Sequence, residues 1–221
     1  MLFQEHNNTI WGTTCSCGKE NYILQTKYHP WDNTDYVLNI KCNRCNQQLN
    51  INQIAAEVFY NEKIYKYFDD VKGTILDIGC GGGFLTKHLT GKQNAKKVFA
   101  IDISEESKKE IAKLTDIDKK VDFRLLDLKD LTNIFKDESI DYIVNRDVFM
   151  FVEDYKKYFD DISRMAIKGV RQMGWFMNNN PRMKNKLHPL DIVDELKNRG
   201  WEVELEILDW YKSGYFIKAD K

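Results

Sequence analysis

One segment of the chain could bind a ligand through its backbone: residues 75–85 read ILDIGCGGGFL. The apolar start predicts a buried strand, and the glycines predict a turn that opens a helix. At such a turn, residues without Cβ let a ligand lie against the backbone, and the free N–H groups of the helix start face that ligand. The segment therefore predicts a site for a nucleoside-bearing ligand. A dinucleotide fingerprint is excluded, because it needs a small residue where Phe84 stands.

The spacing Asp77-x-Gly79-x-Gly81-x-Gly83 resembles the first motif of the class I S-adenosylmethionine-dependent methyltransferases. The resemblance covers the chain from about residue 55 to its end and implies that S-adenosylmethionine is the cofactor. It implies cofactor contacts at five residues of this turn, which are Asp77, Gly79, Cys80, Gly81 and Gly83. We interpret Cys80 as a small buried residue rather than a nucleophile, since cysteine packs as a small hydrophobe.

Two acidic residues further along the chain follow predicted strands. The resemblance implies that Asp102, 23 residues after Gly79, accepts both ribose hydroxyls. That position, at the carboxyl end of a strand, is where open α/β sheets bind ligands. The resemblance also implies that Asp127 accepts the exocyclic amine of adenine, with Ile103 or Leu128 against the ring. The alternative for an Asp after a strand is a helix N-cap.

The methyl acceptor is expected beyond the fourth strand, where residues 141–152 read DYIVNRDVFMFV. This segment resembles the family's fourth motif loosely, which implies a cofactor contact at Asn145. We predict Asp147 as the catalytic residue, either a general base or a group that orients the acceptor. Asp147 could instead cap the next helix, and Arg146 could hold an anionic acceptor or pair with a neighbouring acid. The segment from Asn145 to Val148 contains no proline, which counts against methylation of an exocyclic amine.

A polar, basic stretch, residues 178–188, predicts a loop over the active site. Its Lys and Arg side chains either steer an anionic acceptor or are simply solvated. His188 is a second candidate acid–base group, and its alternative is a place at the start of the following helix.

Four of the five cysteines form two close pairs, which are Cys15 with Cys17 and Cys42 with Cys45. In a reducing compartment this spacing favours structural zinc, because thiolates on two tight turns can converge on one tetrahedral ion. Strands predicted at 22–26 and 36–41, joined by a turn at 29–33, resemble a zinc ribbon. The first pair is unusually tight and could borrow His6 or His29 as a ligand. Buried thiols without metal, or a redox dithiol pair, are the alternatives.

Hydrophobic periodicity predicts the elements that position these residues. It predicts an amphipathic helix from about Gln53 to Asp70. Beyond it, strands are predicted at 74–78, 98–101, 121–126, 140–144 and 170–177, helices at 84–89, 105–114, 155–166 and 190–199, and a hairpin at 202–208 and 215–219. This alternation predicts an α/β fold with a doubly wound, mostly parallel seven-stranded sheet, the Rossmann-like methyltransferase fold. A small zinc-binding β module precedes it, so the predicted domains are residues 1–52 and 53–221.

Composition limits the classes of function. With 221 residues the chain has room for one α/β domain and a small module. Its 33 Lys and Arg against 34 Asp and Glu predict no general polyanion-binding surface. The start lacks the basic and apolar regions of a signal peptide, and no stretch approaches the roughly 20 apolar residues of a membrane span. We therefore expect a soluble, cytoplasmic protein without a membrane partner.

These features predict an S-adenosylmethionine-dependent methyltransferase that acts on a small-molecule acceptor by in-line displacement, with zinc in a structural role. One alternative is an rRNA or tRNA methyltransferase that recognises its substrate with the zinc module. Residues 1–57 carry four Lys and Arg against five Asp and Glu, which disfavours that alternative. The other alternative is a scaffold that binds the cofactor without catalysis.

Overall fold

The computed structural model describes residues 9–25, 40–177, 180–181, 183–208 and 214–221. Apart from Leu208, these residues form two compact units that divide between Lys66 and Tyr67. The domain bounds at residues 52 and 53 stay a prediction.

The smaller unit contains a three-stranded antiparallel sheet in the order β2-β1-β3. The strands are β1 (Thr9–Thr14), β2 (Glu20–Gln25) and β3 (Asn52–Ile54). β2 matches the first strand predicted between the cysteine pairs, whereas β1 was missed. The predicted turn at 29–33 and most of the strand at 36–41 lie outside the described residues, as do His6 and His29.

The helix predicted from Gln53 differs from the structure at both ends. Residues 52–54 form β3, because their backbone pairs with Gly12, Trp11 and Ile10 of β1. A short helix α1 (Ala56–Phe59) follows, then a π-helical turn at Tyr60–Ile64 and a 3₁₀ turn at Tyr65–Phe68. Strand pairing thus outweighs the local helical period at the start of this segment.

The larger unit contains a seven-stranded sheet in the order β6-β5-β4-β7-β8-β10-β9. Five strands pair in parallel: β4 (Gly73–Ile78), β5 (Ala95–Asp102), β6 (Val121–Leu125), β7 (Ile140–Arg146) and β8 (Ala166–Trp175). β10 (Gly214–Asp220) runs antiparallel to β8, and β9 (Glu202–Leu208) takes the edge beside β10. The predicted Rossmann-like methyltransferase fold is confirmed. Strand β8 begins four residues earlier than predicted, since Ala166 already pairs with Ile140 of β7.

Helices cover the sheet between these strands. They are α2 (Phe84–Thr90), α3 (Glu105–Ile117), α4 (Leu131–Ile134), α5 (Tyr155–Met165) and α6 (Pro189–Lys197), with 3₁₀ turns at Leu128–Asp130 and Phe149–Phe151. Side-chain caps start α3 and α5, among others: Ser104 accepts from the Glu106 N–H at 3.1 Å, and Asp154 accepts from the Lys157 N–H at 3.0 Å. Helices α5 and α6 contribute apolar side chains such as Phe159 to the largest core cluster.

Arg171, a buried arginine in β8, forms ion pairs with residues outside its own strand. The Arg171 side chain in β8 is 2% exposed and forms ion pairs with Asp70 at 2.7 Å and with Asp220 at 2.9 Å. Its guanidinium lies 5.3 Å from the centre of the Tyr142 ring. Since a buried charge needs such partners, these acids and the ring compensate the desolvation of Arg171.

In the described part of the chain, no helix combines the length and the apolarity that crossing a membrane requires.

Candidate active site

The glycine-rich turn joins β4 to α2 at the carboxyl end of β4. Gly79 has a φ of +69° and Gly83 a φ of +81°, in the left-handed region that favours glycine. A Cβ on Gly79 would lie 2.3 Å from Cγ2 of Val148, so a side chain would also clash there. The N–H groups of Gly79 and Cys80 both donate to the Ile101 carbonyl, at 2.8 and 3.0 Å, which holds the turn against β5.

Asp102 lies beside this turn, at the end of β5. The N–H of Gly81 donates to its Oδ2 at 3.0 Å, and the N–H of Ser104 donates to its Oδ1 at 2.9 Å. The side chain is buried, so these two bonds fix its orientation. Each carboxylate oxygen accepts about two hydrogen bonds, which leaves a lone pair on each oxygen for a ligand hydroxyl. The structure thus brings together Gly81 and Asp102, which were predicted to bind the same ligand.

Asp77 is 1% exposed and accepts a hydrogen bond from the Thr86 hydroxyl at 2.6 Å. Burial raises the pKa of the Asp77 carboxyl to about 7, and the charge of Asp102 adds to the rise. Thr86, on the first turns of α2, was missed by sequence reasoning, since a threonine in a helix carries no signal of its own.

Cys80 lies in a small apolar cluster with Ala100, Ile111 and Val121. Burial raises the pKa of its thiol well above the usual range, and the nearby charges of Asp77 and Asp102 act in the same direction. The thiol is therefore protonated at neutral pH and has no nucleophilic character.

The three residues expected around the adenine ring lie at the carboxyl ends of β5 and β6. Ile103 follows Asp102 directly, and its side chain is 71% exposed. Asp127 is exposed and caps the 3₁₀ turn after β6, accepting from the Lys129 N–H at 3.0 Å. Leu128 is half-buried. Asp127 thus has a capping role in the structure, and its predicted contact with adenine stays a prediction.

Asn145 lies at the end of β7, opposite Ile78 of β4, and is fully buried. Its Nδ2 donates to the Tyr158 hydroxyl at 2.9 Å and to Oε1 of Gln172 at 3.3 Å. Within the described residues, its Oδ1 atom is buried without a hydrogen-bond partner. A buried hydrogen-bond acceptor without a partner costs free energy. Oδ1 therefore marks a position where an N–H or O–H group of a ligand would be stabilised.

Asp147 follows β7 with a φ of +58°, a left-handed conformation that is uncommon for a residue with a side chain. Its Oδ1 atom is also buried without a partner among the described residues, and its Oδ2 lies 3.5 Å from the Arg146 guanidinium. Burial raises the pKa of this carboxyl, against the smaller opposing effect of Arg146. Asp154 caps the following helix instead of Asp147. Arg146 forms an ion pair with Asp147 itself. Its guanidinium is therefore engaged within the protein, which does not favour the predicted role of holding an anionic acceptor.

A family model described as a methyltransferase domain matches residues 76–172. The chain carries an S-adenosylmethionine-dependent methyltransferase domain. The matched segment runs from β4 to β8 and includes the glycine turn, Asp102 and Asn145.

Several known proteins are similar to this chain. The ubiquinone biosynthesis O-methyltransferase of Rickettsia bellii is 26% identical over 167 residues, which cover 65% of this chain and 68% of that protein. A solved complex between the Haloferax volcanii Trm112 methyltransferase activator and a methyltransferase contains a similar chain, with a TM-score of 0.62 at 16% identity over 73% of this chain and 88% of that one. The S-adenosylmethionine-dependent methyltransferase of Mesorhizobium loti has a TM-score of 0.60 at 16% identity, over 69% and 93% of the two chains. At this identity the solved structures show a common fold.

Three polar residues of the methyltransferase domain that sequence reasoning missed lie behind Asn145. Tyr158 of α5 and Gln172 of β8 bind its amide, and Nε2 of Gln172 donates to the Tyr215 hydroxyl of β10 at 3.2 Å. Burial raises the pKa of both tyrosine hydroxyls above the usual range, so both are neutral. The glutamine in the strand predicted at 170–177 was the one signal in the sequence that could have led to this group.

The segment before α6 lies against the 3₁₀ turn that follows β7. The Asn185 amide is buried and donates to the carbonyls of Phe149 at 2.7 Å and Val152 at 2.9 Å. His188 is the N-cap of α6: its Nδ1 accepts from the Leu190 N–H at 3.3 Å, and its ring stands edge-on to Phe176. Of the two roles predicted for His188, the structure shows the one at the start of the helix. Three positions of this predicted loop, 178, 179 and 182, lie outside the described residues.

The four predicted metal ligands of the smaller unit come together. The sulfur atoms of Cys15, Cys17, Cys42 and Cys45 all lie within 4.8 Å of one another. The closest pairs are Cys15 with Cys45 at 3.4 Å and Cys17 with Cys42 at 3.7 Å, too long for a disulfide. A zinc ion about 2.3 Å from four tetrahedral sulfurs separates these by about 3.8 Å, so the cluster has the dimensions of a zinc site.

Two similar turns carry these cysteines. The Cys15 N–H donates to the Lys19 carbonyl at 2.8 Å, and the Cys42 N–H donates to the Gln47 carbonyl at 2.9 Å. Each turn contains one residue with positive φ, Gly18 in the first and Asn46 in the second. The tight Cys15–Cys17 spacing is thus accommodated by a turn that resembles its partner.

Proposed function

We propose that the methyltransferase domain transfers a methyl group to a hydroxyl oxygen of a small-molecule acceptor. The observation that carries this proposal is the buried Oδ1 atom of Asp147, directly after β7, which has no hydrogen-bond partner among the described residues. This oxygen accepts hydrogen bonds, so it favours a methyl acceptor that donates through O–H or N–H and disfavours a carboxylate or phosphate group. The Rickettsia bellii relative is an O-methyltransferase by name, which supports the hydroxyl.

For the donor, we infer a site along the glycine turn and the end of β5. S-adenosylmethionine supplies a methyl group on a positively charged sulfur, which is already activated for displacement. In this proposal Gly79, Gly81 and Gly83 let the donor lie against the backbone, and Asp102 accepts its ribose hydroxyls through the remaining lone pairs. The exposed Ile103 side chain supplies an apolar surface for adenine.

The remaining donor contacts follow from the positions described above. Asp77 and Cys80 support the turn from the protein interior, and Asn145 lies beside it on β7. We retain Asp127 and Leu128 as contacts of the adenine edge. The fit of this residue set rests on the buried, unpaired Oδ1 atom of Asn145, which lies on the strand beside the glycine turn.

We assign Asp147 as the general base. Its unpaired Oδ1 accepts the proton of the acceptor hydroxyl while the hydroxyl oxygen forms its bond to the methyl carbon and the sulfur–methyl bond breaks. The electron pair of that bond stays on sulfur, and the proton stays on Asp147 until solvent removes it. Burial raises the pKa of Asp147, which brings its basicity nearer to neutral pH and suits it to this transfer.

The test has two stages. First, calorimetric titration at moderate salt with S-adenosylmethionine and with its demethylated product measures donor binding; absence of heat with folded, zinc-loaded protein would contradict the donor site. Second, radiolabelled donor is incubated with panels of small phenols, small amines and total RNA. Transfer to phenols, with Asp147→Asn reducing turnover at least about a hundredfold at unchanged donor affinity, supports the proposal. Transfer to RNA alone would overturn it.

For the smaller unit, we propose a structural zinc ion bound by Cys15, Cys17, Cys42 and Cys45. All four ligand positions are thiolates, which is typical of closed structural sites. Burial raises the pKa of the Cys42 thiol, but hydrogen bonds from the N–H groups of Cys45 and Arg44 and from the thiols of Cys17 and Cys15 together lower it to about 6. One equivalent of zinc per chain, measured by elemental analysis after dialysis, is expected.

A further inference from the structure

A buried polar layer lies behind the unpaired oxygen of Asn145. Asn145 and Gln172 are direct neighbours in register on β7 and β8, so their side chains share one face of the sheet. Gly174 is two residues from Gln172 on β8 and therefore lies on the same face. Tyr215 of β10 pairs with Gly174, so its side chain lies on that face too. A Cβ on Gly174 would lie 2.9 Å from the Tyr215 hydroxyl, so glycine leaves the room that brings this hydroxyl to Gln172.

The hydrogen bonds of this layer orient the Asn145 amide. Both hydrogens of its Nδ2 are used, one by the Tyr158 hydroxyl and one by Gln172 Oε1. Gln172 is itself oriented, because its Nε2 donates to the Tyr215 hydroxyl. With Nδ2 held on this side, Oδ1 must point away from Tyr158 and Gln172. All four residues are buried or nearly so, and water therefore does not compete for these bonds.

We propose that Gln172 and Tyr215 are positioning residues, which hold the Asn145 amide so that its Oδ1 atom faces the transferable methyl group of the donor. Asn145 pairs with Ile78, the residue directly before Gly79, so the amide lies at the strand end next to the glycine turn. An unpaired carbonyl oxygen at that place attracts the positive charge that the methylated sulfur carries. The inference rests on the donor site proposed above, and it goes beyond that site in naming residues that do not contact the donor.

Two analogues of the donor test the position of Oδ1 without catalysis. S-adenosylhomocysteine lacks the methyl group, and sinefungin carries an amine in its place. If Oδ1 faces the methyl group, it accepts a hydrogen bond from this charged amine, and wild-type protein binds sinefungin about tenfold or more tightly than S-adenosylhomocysteine in calorimetric titrations. Equal affinities would overturn the inference and leave the donor site standing, whereas no binding of either analogue would overturn both.

Variants then test the positioning role. Tyr215→Phe and Gln172→Met remove the support of the amide with little change in volume, and each is expected to reduce the preference for sinefungin by about threefold to tenfold. The affinity for S-adenosylhomocysteine should stay within about twofold, since general destabilisation would weaken both ligands together. Asn145→Leu should abolish the preference.

Tyr142→Phe is the matched control, because Tyr142 is a buried tyrosine on β7 whose odd separation from Asn145 puts it on the opposite face. It should leave the preference unchanged. A preference that survives in both Tyr215→Phe and Gln172→Met, or one that falls equally in Tyr142→Phe, would overturn the inference. An equal loss of affinity for both analogues in the Gln172 and Tyr215 variants would overturn it as well, because the preference for sinefungin would then not depend on these residues.

Discussion

The buried carboxyl of Asp77 makes the stability of the methyltransferase domain depend on pH, and Asp77→Asn should remove that dependence. Asparagine has nearly the same shape, and its carbonyl oxygen can accept the Thr86 hydrogen bond that Asp77 accepts at 2.6 Å. The substitution therefore removes a titrating group with little change in packing.

The magnitude follows from the pKa values of the two states. Burial raises the pKa of Asp77 from 3.8 to about 7, so the folded domain keeps a proton that the unfolded chain has released. Because the folded state binds more protons between these values, the free energy of unfolding falls as pH rises from about 4 to about 7 and is level above about 8. Each pH unit contributes about 1.4 kcal/mol, so wild type should lose about 2–3 kcal/mol relative to Asp77→Asn between about pH 5 and about pH 9.

Urea unfolding of donor-free, zinc-loaded protein at several pH values measures this difference. Titrating groups distant from Asp77 act equally in both proteins, so only the difference between the two stability curves is used. The variant should gain over wild type as pH rises, and the gain should stop near pH 8. A difference that stays constant across this range, or a wild type that gains over the variant, would refute the assignment of a protonated Asp77.

Three further substitutions test the donor turn and the cysteine cluster. Asp102→Ala should weaken donor binding at least about tenfold in calorimetry, because it removes the acceptor for two backbone N–H groups and for ribose. Gly79→Ala should destabilise the domain by about 1–3 kcal/mol more than Gly200→Ala in thermal unfolding. Both glycines have positive φ, but only a Cβ on Gly79 meets a neighbour within 4 Å. Cys42→Ser should release zinc while the far-UV signal of the sheet persists, whereas Cys80→Ala should retain it; full zinc retention in Cys42→Ser would contradict the four-thiolate site.

The parts of the site that the sequence predicted depend on contacts close along the chain or at one edge of the sheet. The glycine turn is local, since its conformation follows from residues 79–83. Asp102 is predictable because parallel strands end at the same edge, so the end of β5 must lie beside the turn after β4. The cysteine cluster was predictable for a chemical reason, because two thiol pairs on tight turns have few uses other than a shared metal.

Other parts depend on pairings that no local pattern contains. Gln53 and Ile54 begin a segment with the hydrophobic period of a helix, yet they pair with the backbone of β1 and belong to a strand. Arg171 and Asp70 lie 101 positions apart in the chain, so their ion pair forms only once the sheet is assembled. Thr86 gains its role from one hydrogen bond to Asp77, which depends on how α2 leaves the glycine turn.

The polar layer behind Asn145 lies between these two cases. Central parallel strands are buried on both faces and usually read as apolar runs, so Asn145 in β7 and Gln172 in β8 each interrupt the expected pattern. A buried amide must find partners, and two interruptions on adjacent strands can satisfy each other only if they are in register. Once the strand order is predicted, the two amides therefore indicate a shared network at the carboxyl end of the sheet. What the sequence could not supply is the third strand, since Tyr215 reaches Gln172 only because Gly174 leaves space for its ring.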